Sequence, residues 1–179
     1  MKVLLHACCG PCTTYCYEAL SNEGHEIYGF FYNPNIHPLT EYRKRKESLD
    51  RYADQVGLKM IGRSEYGLTE FVRKVVFREK NRCQLCYQMR LEATARMAQR
   101  SKFDAFTTTL LISPYQDYQK IVEIGNNLAA EYQLEFLDRD FRQGYARSIE
   151  LSKKYGLYRQ QYCGCIYSEE ERYRHQKKV

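Results

Sequence analysis

Lys2-Val3-Leu4-Leu5-His6-Ala7-Cys8-Cys9-Gly10-Pro11-Cys12 decides the fold. The apolar run over 2–6 has the length of one buried strand. Pro11 suits a first helical position, where no backbone N–H is needed. A helix then reads over 11–23, stopped by Gly24. A buried strand therefore runs into a helix through a turn made of cysteine and glycine.

The same alternation continues outward. Strand-like stretches lie at 26–32, 58–61, 105–111 and 134–137. Helix-like stretches lie at 39–56, 68–77, 83–99, 117–132 and 142–155, and a polar helix starts at Ser168. Neither a repeat nor a Gly/Ser/Pro linker interrupts them. This rhythm predicts a single α/β domain over residues 1–179: three layers, a mostly parallel, Rossmann-like sheet of about five strands, helices on both faces, and helical segments bearing cysteines. Crossovers in such sheets are right-handed. Ligands bind beyond the carboxyl ends of the strands. Cys8 and Cys9 fall there, as do 107–113 after the fourth strand and 138–142 after the fifth.

A chain of 179 residues can bury a core without disulfide staples. Its net charge is +6, with 17 tyrosines and no tryptophan. Cations that meet phosphate and flat rings that stack on bases suit RNA. The plainer alternative is a surface with surplus lysine. No stretch approaches the ~20 apolar residues of a membrane span. The opening residues do not read as a secretory leader. The expected location is the cytoplasm, where thiols stay reduced and a CxxC pair reads as a metal or redox site.

Six of the eight cysteines form three short pairs: Cys8–Cys9, Cys83–Cys86 and Cys163–Cys165. Cys12 and Cys16 trail the first pair. Pairs from distant stretches, gathered by folding, make a metal site. Six thiols exceed the four that one tetrahedral metal uses, which points to iron–sulfur chemistry or to two metals. A helix N-terminus favours thiolate at the first pair, and Gly10 is expected to let a cofactor approach the backbone. Adjacent cysteines are expected to point apart, so Cys8 and Cys9 are assigned to different metal atoms. Gly164 permits tighter bending between Cys163 and Cys165. Cys83-Gln84-Leu85-Cys86 has a spacing common to zinc and cluster sites. Cys16 reads as a small core residue, and Cys12 stays open as an outer or reactive thiol. The best fit is a [4Fe–4S] cluster beside a mononuclear iron or other divalent ion. Cys9, Cys83, Cys86 and Cys163 are offered to the cluster, with the division of the six thiols left open. Asp140 is the candidate to complete the second ion. A helix N-cap or a salt bridge explains Asp140 equally well.

Longer motifs carry a resemblance. They include His6-Ala7-Cys8-Cys9-Gly10-Pro11-Cys12, Asn33-Pro34-Asn35-Ile36-His37-Pro38 with Glu41-Tyr42, and Cys83-Gln84-Leu85-Cys86-Tyr87 with Arg90-Leu91. Further along stand 106–111, Ser113-Pro114-Tyr115-Gln116, Asp140-Phe141-Arg142 and 158–165. Nearly end to end, the chain resembles the QueH-type epoxyqueuosine reductases. The resemblance implies the last step in making queuosine at the wobble position of certain tRNAs, in which an epoxide loses its oxygen and becomes an alkene. It implies an iron–sulfur cluster with an adjacent iron, no cobalamin, and metal-binding roles for the three thiol pairs.

The chemistry needs two electrons and two protons. An external donor such as a small redox protein is expected to supply the electrons. Asp140 and Tyr115 are the candidate proton donors, with His37 in a plausible loop; stacking on a base explains the tyrosine equally well, and capping a turn explains His37. Asn33, Asn35 and His37 follow the second strand and are candidates for substrate contact. Arg142, Arg147, Tyr158, Arg159 and Tyr162 read as a basic, aromatic surface for a tRNA loop, or else as a polar helix edge. Two rivals remain: a zinc-holding RNA-binding module without catalysis, and a sulfur-compound or thiol reductase with a [4Fe–4S] cluster. Against the second stand the absence of a Ser-Gly-Gly phosphate loop after the first strand and of any cysteine after Cys165.

Overall fold

The computed structural model describes residues 1–62 and 65–174. Strand β1 (Lys2–His6) pairs in parallel with β2 (Glu26–Phe30) on one side and β4 (Ala105–Thr108) on the other. β3 (Lys59–Ile61) extends the sheet from β2, and β5 (Glu135–Phe136) extends it from β4. The order is β3-β2-β1-β4-β5, parallel throughout. Val3, Leu4 and Leu5 are wholly enclosed, as a strand covered on both faces must be. Burying each such leucine stabilises the fold by about 1.5–3 kcal/mol.

Helix α1 (Gly10–Asn22) links β1 to β2, and α2 (Leu39–Val56) links β2 to β3. The chain then recrosses the sheet through α3 (Leu68–Val75) and α4 (Arg82–Arg100) to β4. α5 (Tyr118–Tyr132) leads to β5, and α6 (Tyr145–Lys154) and α7 (Ile166–Tyr173) follow. α1 packs on α2 and α6, while α4 packs on α5. With right-handed crossovers, the reversal of strand order at β1 puts these two groups on opposite faces. The gap between the carboxyl ends of β1 and β4 is the topological switch point.

Several boundaries differ from the sequence reading. The stretch 105–111 is not all strand. Thr108 Oγ1 accepts the Leu110 amide and turns the chain into a 3-10 turn over Thr109–Ile112. The helix expected at 142–155 begins as a 3-10 turn over Phe141–Gly144, and α6 starts at Tyr145. α3 stops at Val75, two residues early, because Phe77 takes a left-handed backbone with φ 62°. α7 starts at Ile166, before Ser168, because the Cys165 sulfur caps it. The end of that polar helix beyond Arg174 lies outside the described residues. Among the described residues, no helix is long and apolar enough to cross a membrane.

Candidate functional site

The first cysteine pair sits at the switch point. Cys9 is the N-cap of α1, and its sulfur accepts the Cys12 amide at 3.4 Å. Cys8 is held from the turn after β4: its amide donates to Thr109 Oγ1 at 3.0 Å, and that hydroxyl donates to the Cys8 sulfur at 3.1 Å. The expectation that Cys8 and Cys9 diverge is corrected. Their sulfurs are 3.8 Å apart, because capping α1 swings Cys9 back over the turn. Cys12 joins them, and the three sulfurs lie within 4.8 Å of one another. Gly10 does not serve a cofactor's approach. A Cβ there would come within 2.9 Å of Ser48 Oγ, so the glycine lets α1 pack on α2. Cys16 is in the core, as expected.

The remaining pairs meet across the crevice. Cys86 and Cys165 are buried in one apolar cluster with Phe71, Val75 and Met89, whereas Cys83 and Cys163 are exposed. Gln116 Nε2 donates to the Cys163 sulfur at 3.3 Å. Gly164 holds the turn between Cys163 and Cys165 with φ 145°, and a Cβ there would come within 3.1 Å of both Arg45 and Asn35. Arg45 clamps this turn from α2. Its guanidinium donates to the carbonyls of Cys163 (2.8 Å) and Tyr162 (2.9 Å) and pairs with Glu41 at 2.8 Å. Glu41 also accepts the Tyr158 hydroxyl at 2.7 Å.

A cavity of about 640 Å³ joins the two groups, with Cys8, Cys12 and Cys163 in its wall. Tyr115, Tyr145, Arg159, Gln160 and Arg172 also line it. Tyr115 is 83% exposed, and Tyr145 meets its ring edge-on at 6.3 Å.

Charge within the site is uneven. Hydrogen bonds from Cys12 and Cys9, with Arg90 and Thr109 nearby, hold the Cys8 thiol well below its ordinary range. Burial pushes Cys9 up to about 12, against the sequence expectation that the helix start would favour thiolate there. Burial likewise pushes Cys86 up to about 12. Burial opposes the charge on Arg90, but the sulfurs of Cys86, Cys8 and Cys163 outweigh it and raise the Arg90 pKa.

Other candidates are placed less centrally. Asn33, Asn35 and His37 are buried, so they do not present side chains to a substrate. Asn33 Nδ2 donates to the Ala7 carbonyl, and the His37 ring bonds the Pro34 carbonyl. The Tyr162 hydroxyl donates to the His37 carbonyl, and the His37 amide donates to the Gly164 carbonyl. These residues seat the Cys163–Cys165 turn. Tyr158 is engaged with Glu41, outside the cavity wall. Asp140 also lies elsewhere, in a separate hollow with Tyr15 and Glu23. Its carboxylate caps the 3-10 turn and forks onto Arg142, which holds it below the usual carboxylate range. Arg142 is spent on that pair and on the Tyr118 ring, and Arg147 pairs with Glu18 and Glu150. Arg159, Tyr115 and Tyr162 do line the cavity.

Sequence reasoning gave no role to Thr109, Gln116, Arg45 or Arg90. The signal was faint: each stands near a cysteine in the fold, and Thr109, Gln116 and Arg90 fall inside the motifs that carried the resemblance. A buried guanidinium among thiols is a donor set suited to an anionic metal–thiolate centre.

Residues 3–171 match the family described as Epoxyqueuosine reductase QueH. The chain belongs to this family. A QueH relative from Dehalococcoides mccartyi is 38% identical over 172 residues, covering 96% of this chain and 94% of the relative. Another QueH relative, from Thermotoga maritima, is 38% identical over 183 residues, covering 95% and 91%. The fold is also similar to that of the U34-tRNA thiolase NcsA from Methanococcus maripaludis, solved with its [4Fe-4S] cluster. There the TM-score is 0.60 at 13% identity, covering 93% of this chain and 61% of that one. The QueH family name denotes an epoxyqueuosine reductase, an oxidoreductase of queuosine biosynthesis.

Proposed function

We propose that this protein removes the epoxide oxygen of epoxyqueuosine in tRNA and leaves the alkene of queuosine, without cobalamin. The observation that carries this reading is the convergence of Cys8, Cys12 and Cys163 on one cavity in a chain of the QueH family. Cys8, Cys9, Cys83, Cys86, Cys163 and Cys165 would hold a [4Fe–4S] cluster and a neighbouring mononuclear iron. Of these, Cys9, Cys83, Cys86 and Cys163 would serve the cluster, and Cys12 stands ready beside them. The thiolase of similar fold carries such a cluster, so this architecture can house one. Bound there, the metals supply single electrons and a Lewis acid for the epoxide oxygen.

The chain's own residues do the rest. The cavity volume falls in the range that encloses a small ligand, and a tRNA base flipped from its loop is of that kind. Arg159 and Arg172 offer cations to the backbone phosphates, and Tyr115 offers an exposed ring for stacking. Gln116 and Arg45 fix the Cys163 turn so that its sulfur keeps facing the cavity. Converting epoxide to alkene and water takes two electrons and two protons. The Tyr115 hydroxyl is the proton donor within the cavity wall. The electrons come from an external redox protein. Free thiols in this number suit the reducing cytoplasm.

Anaerobically reconstituted protein, given epoxyqueuosine-containing tRNA and a reductant, should yield the nucleoside lacking one oxygen by mass spectrometry. Full turnover after Cys8, Cys83 and Cys163 are all changed to alanine would refute the scheme. A colourless, zinc-filled, inactive protein from strictly anaerobic material would instead indicate the non-catalytic RNA-binding module.

A further inference from the structure

Arg90 is a deeply buried cation. It sits on α4, one turn after Cys86, and is 2% exposed. One terminal nitrogen stands 3.6 Å from the Cys86 sulfur, and the other donates to Asn33 Oδ1 at 2.8 Å. Its Nε is buried with no hydrogen-bond partner. Among the described residues it forms no ion pair with a carboxylate, whereas the other deeply buried arginine, Arg45, pairs with Glu41. Arg90 also lines the cavity that Cys8, Cys12 and Cys163 share.

A guanidinium taken out of water without a counter-ion costs several kcal/mol. The anionic groups available to offset that cost here are sulfurs. A cation beside metal-bound thiolates favours the state with the extra electron, and N–H groups directed at sulfur act in the same direction.

We propose that Arg90 is a positioning residue that sets the electron affinity of the thiol-bound centre: its fixed positive charge, placed between the Cys86 sulfur and the Cys8 side of the cavity, holds the reduction potential up. This deepens the functional reading above and rests on it. The step is a one-electron addition from the external donor. The added negative charge falls next to Arg90, and no bond to Arg90 forms or breaks. Asn33 has a part in the same device. With Nδ2 spent on the Ala7 carbonyl, its Oδ1 faces Arg90 and aims the guanidinium without neutralising it.

The test is an EPR-monitored redox titration of anaerobically reconstituted wild type, Arg90→Gln and Arg90→Lys, with iron and sulfide quantified in each. At a fixed solution potential the reduced-to-oxidised ratio of Arg90→Gln should fall about tenfold, a shift of ~59 mV to more negative potential for one electron. Arg90→Lys keeps the charge and should stay close to wild type. An unshifted Arg90→Gln, or an Arg90→Lys shifted as far as Arg90→Gln, overturns the proposal. Should Arg90→Gln not accumulate as folded protein, Asn33→Asp decides, since it neutralises the guanidinium at nearly constant volume. A lowered potential in Asn33→Asp supports the assignment, and an unchanged one overturns it. Wild-type protein that binds no iron overturns the functional reading and this proposal together. Iron-loaded variants with unchanged potentials overturn only the role of Arg90.

Discussion

One Thr109 hydroxyl contacts Cys8 twice, 3.0 Å from its amide nitrogen and 3.1 Å from its sulfur, and so ties the end of β4 to the first thiol after β1. Thr109→Val keeps the side-chain volume but leaves the Cys8 amide without its partner. Metal-free protein should lose about 1–3 kcal/mol of stability, read from urea unfolding. Iron content after reconstitution should fall as well. Thr109→Ser should keep both properties. Equal stability of Thr109→Val and wild type would show that the contact is incidental.

The thiols should separate by location. Cys8→Ala and Cys163→Ala should lose most of their iron, and Cys12→Ala should lose part of it, by metal analysis under anaerobic conditions. Cys16→Ala should retain full iron, because Cys16 packs in the main core, and should cost about 1 kcal/mol in unfolding experiments.

Arg45 and Glu41 form a buried pair whose guanidinium also holds the Tyr162 and Cys163 carbonyls. Arg45→Met strands a buried carboxylate and should cost about 3–5 kcal/mol in urea unfolding. The double variant Arg45→Met/Glu41→Gln should recover part of that loss while the Cys163 turn stays loosened and iron uptake low. A double variant no more stable than the single one would count against the pairing.

His37 supplies a pH dependence. Its Nε2 bonds the Pro34 carbonyl and so carries the proton, while Nδ1 is buried without a partner near the Tyr66 and Phe71 rings. Burial lowers its pKa below the ordinary 6.5. The unfolded chain therefore binds the proton more readily than the folded one. The stability this residue protects is present above pH 6.5 and is lost as pH falls below it. Urea midpoints of metal-free protein should decline through that window, and more shallowly in His37→Gln. Parallel curves for the two proteins would contradict this.

Arg159 and Arg172 are exposed on the cavity wall, and neither forms an ion pair with a carboxylate among the described residues. If each meets a tRNA phosphate, alanine at either should lower affinity and reduce the salt slope of binding by about one. An unchanged slope would place the RNA elsewhere.

Much of this was legible in the sequence, for identifiable reasons. Val3–Leu5 had to be an internal strand, and Pro11 had to open a helix, so the turn that carries Cys8 and Cys9 was fixed locally. The spacing of the thiol pairs pointed to a shared site, and folding brings Cys8, Cys12 and Cys163 to one cavity wall. The convergence of Cys8 and Cys9 was not legible, because it depends on the extended backbone at the cap of α1. Asn33, Asn35 and His37 read as candidates for substrate contact because they follow the second strand. Asn33 and His37 are enclosed, each with one nitrogen bonded to a backbone carbonyl, which no pattern of residue types reports. Asp140 followed the fifth strand, where a ligand would stand, but Arg142 two residues on captured it.

Among the described residues, two helices begin on sulfur instead of a hydroxyl or carboxylate: Cys9 accepts the Cys12 amide at 3.4 Å, and Cys165 accepts the Ser168 amide at 3.4 Å. Any metal drawn to these sulfurs shares their electrons with the peptide groups behind them. Hydrogen–deuterium exchange at Cys12 and Ser168 should therefore register loading of the centre, which makes the opening turns of α1 and α7 natural gauges of occupancy.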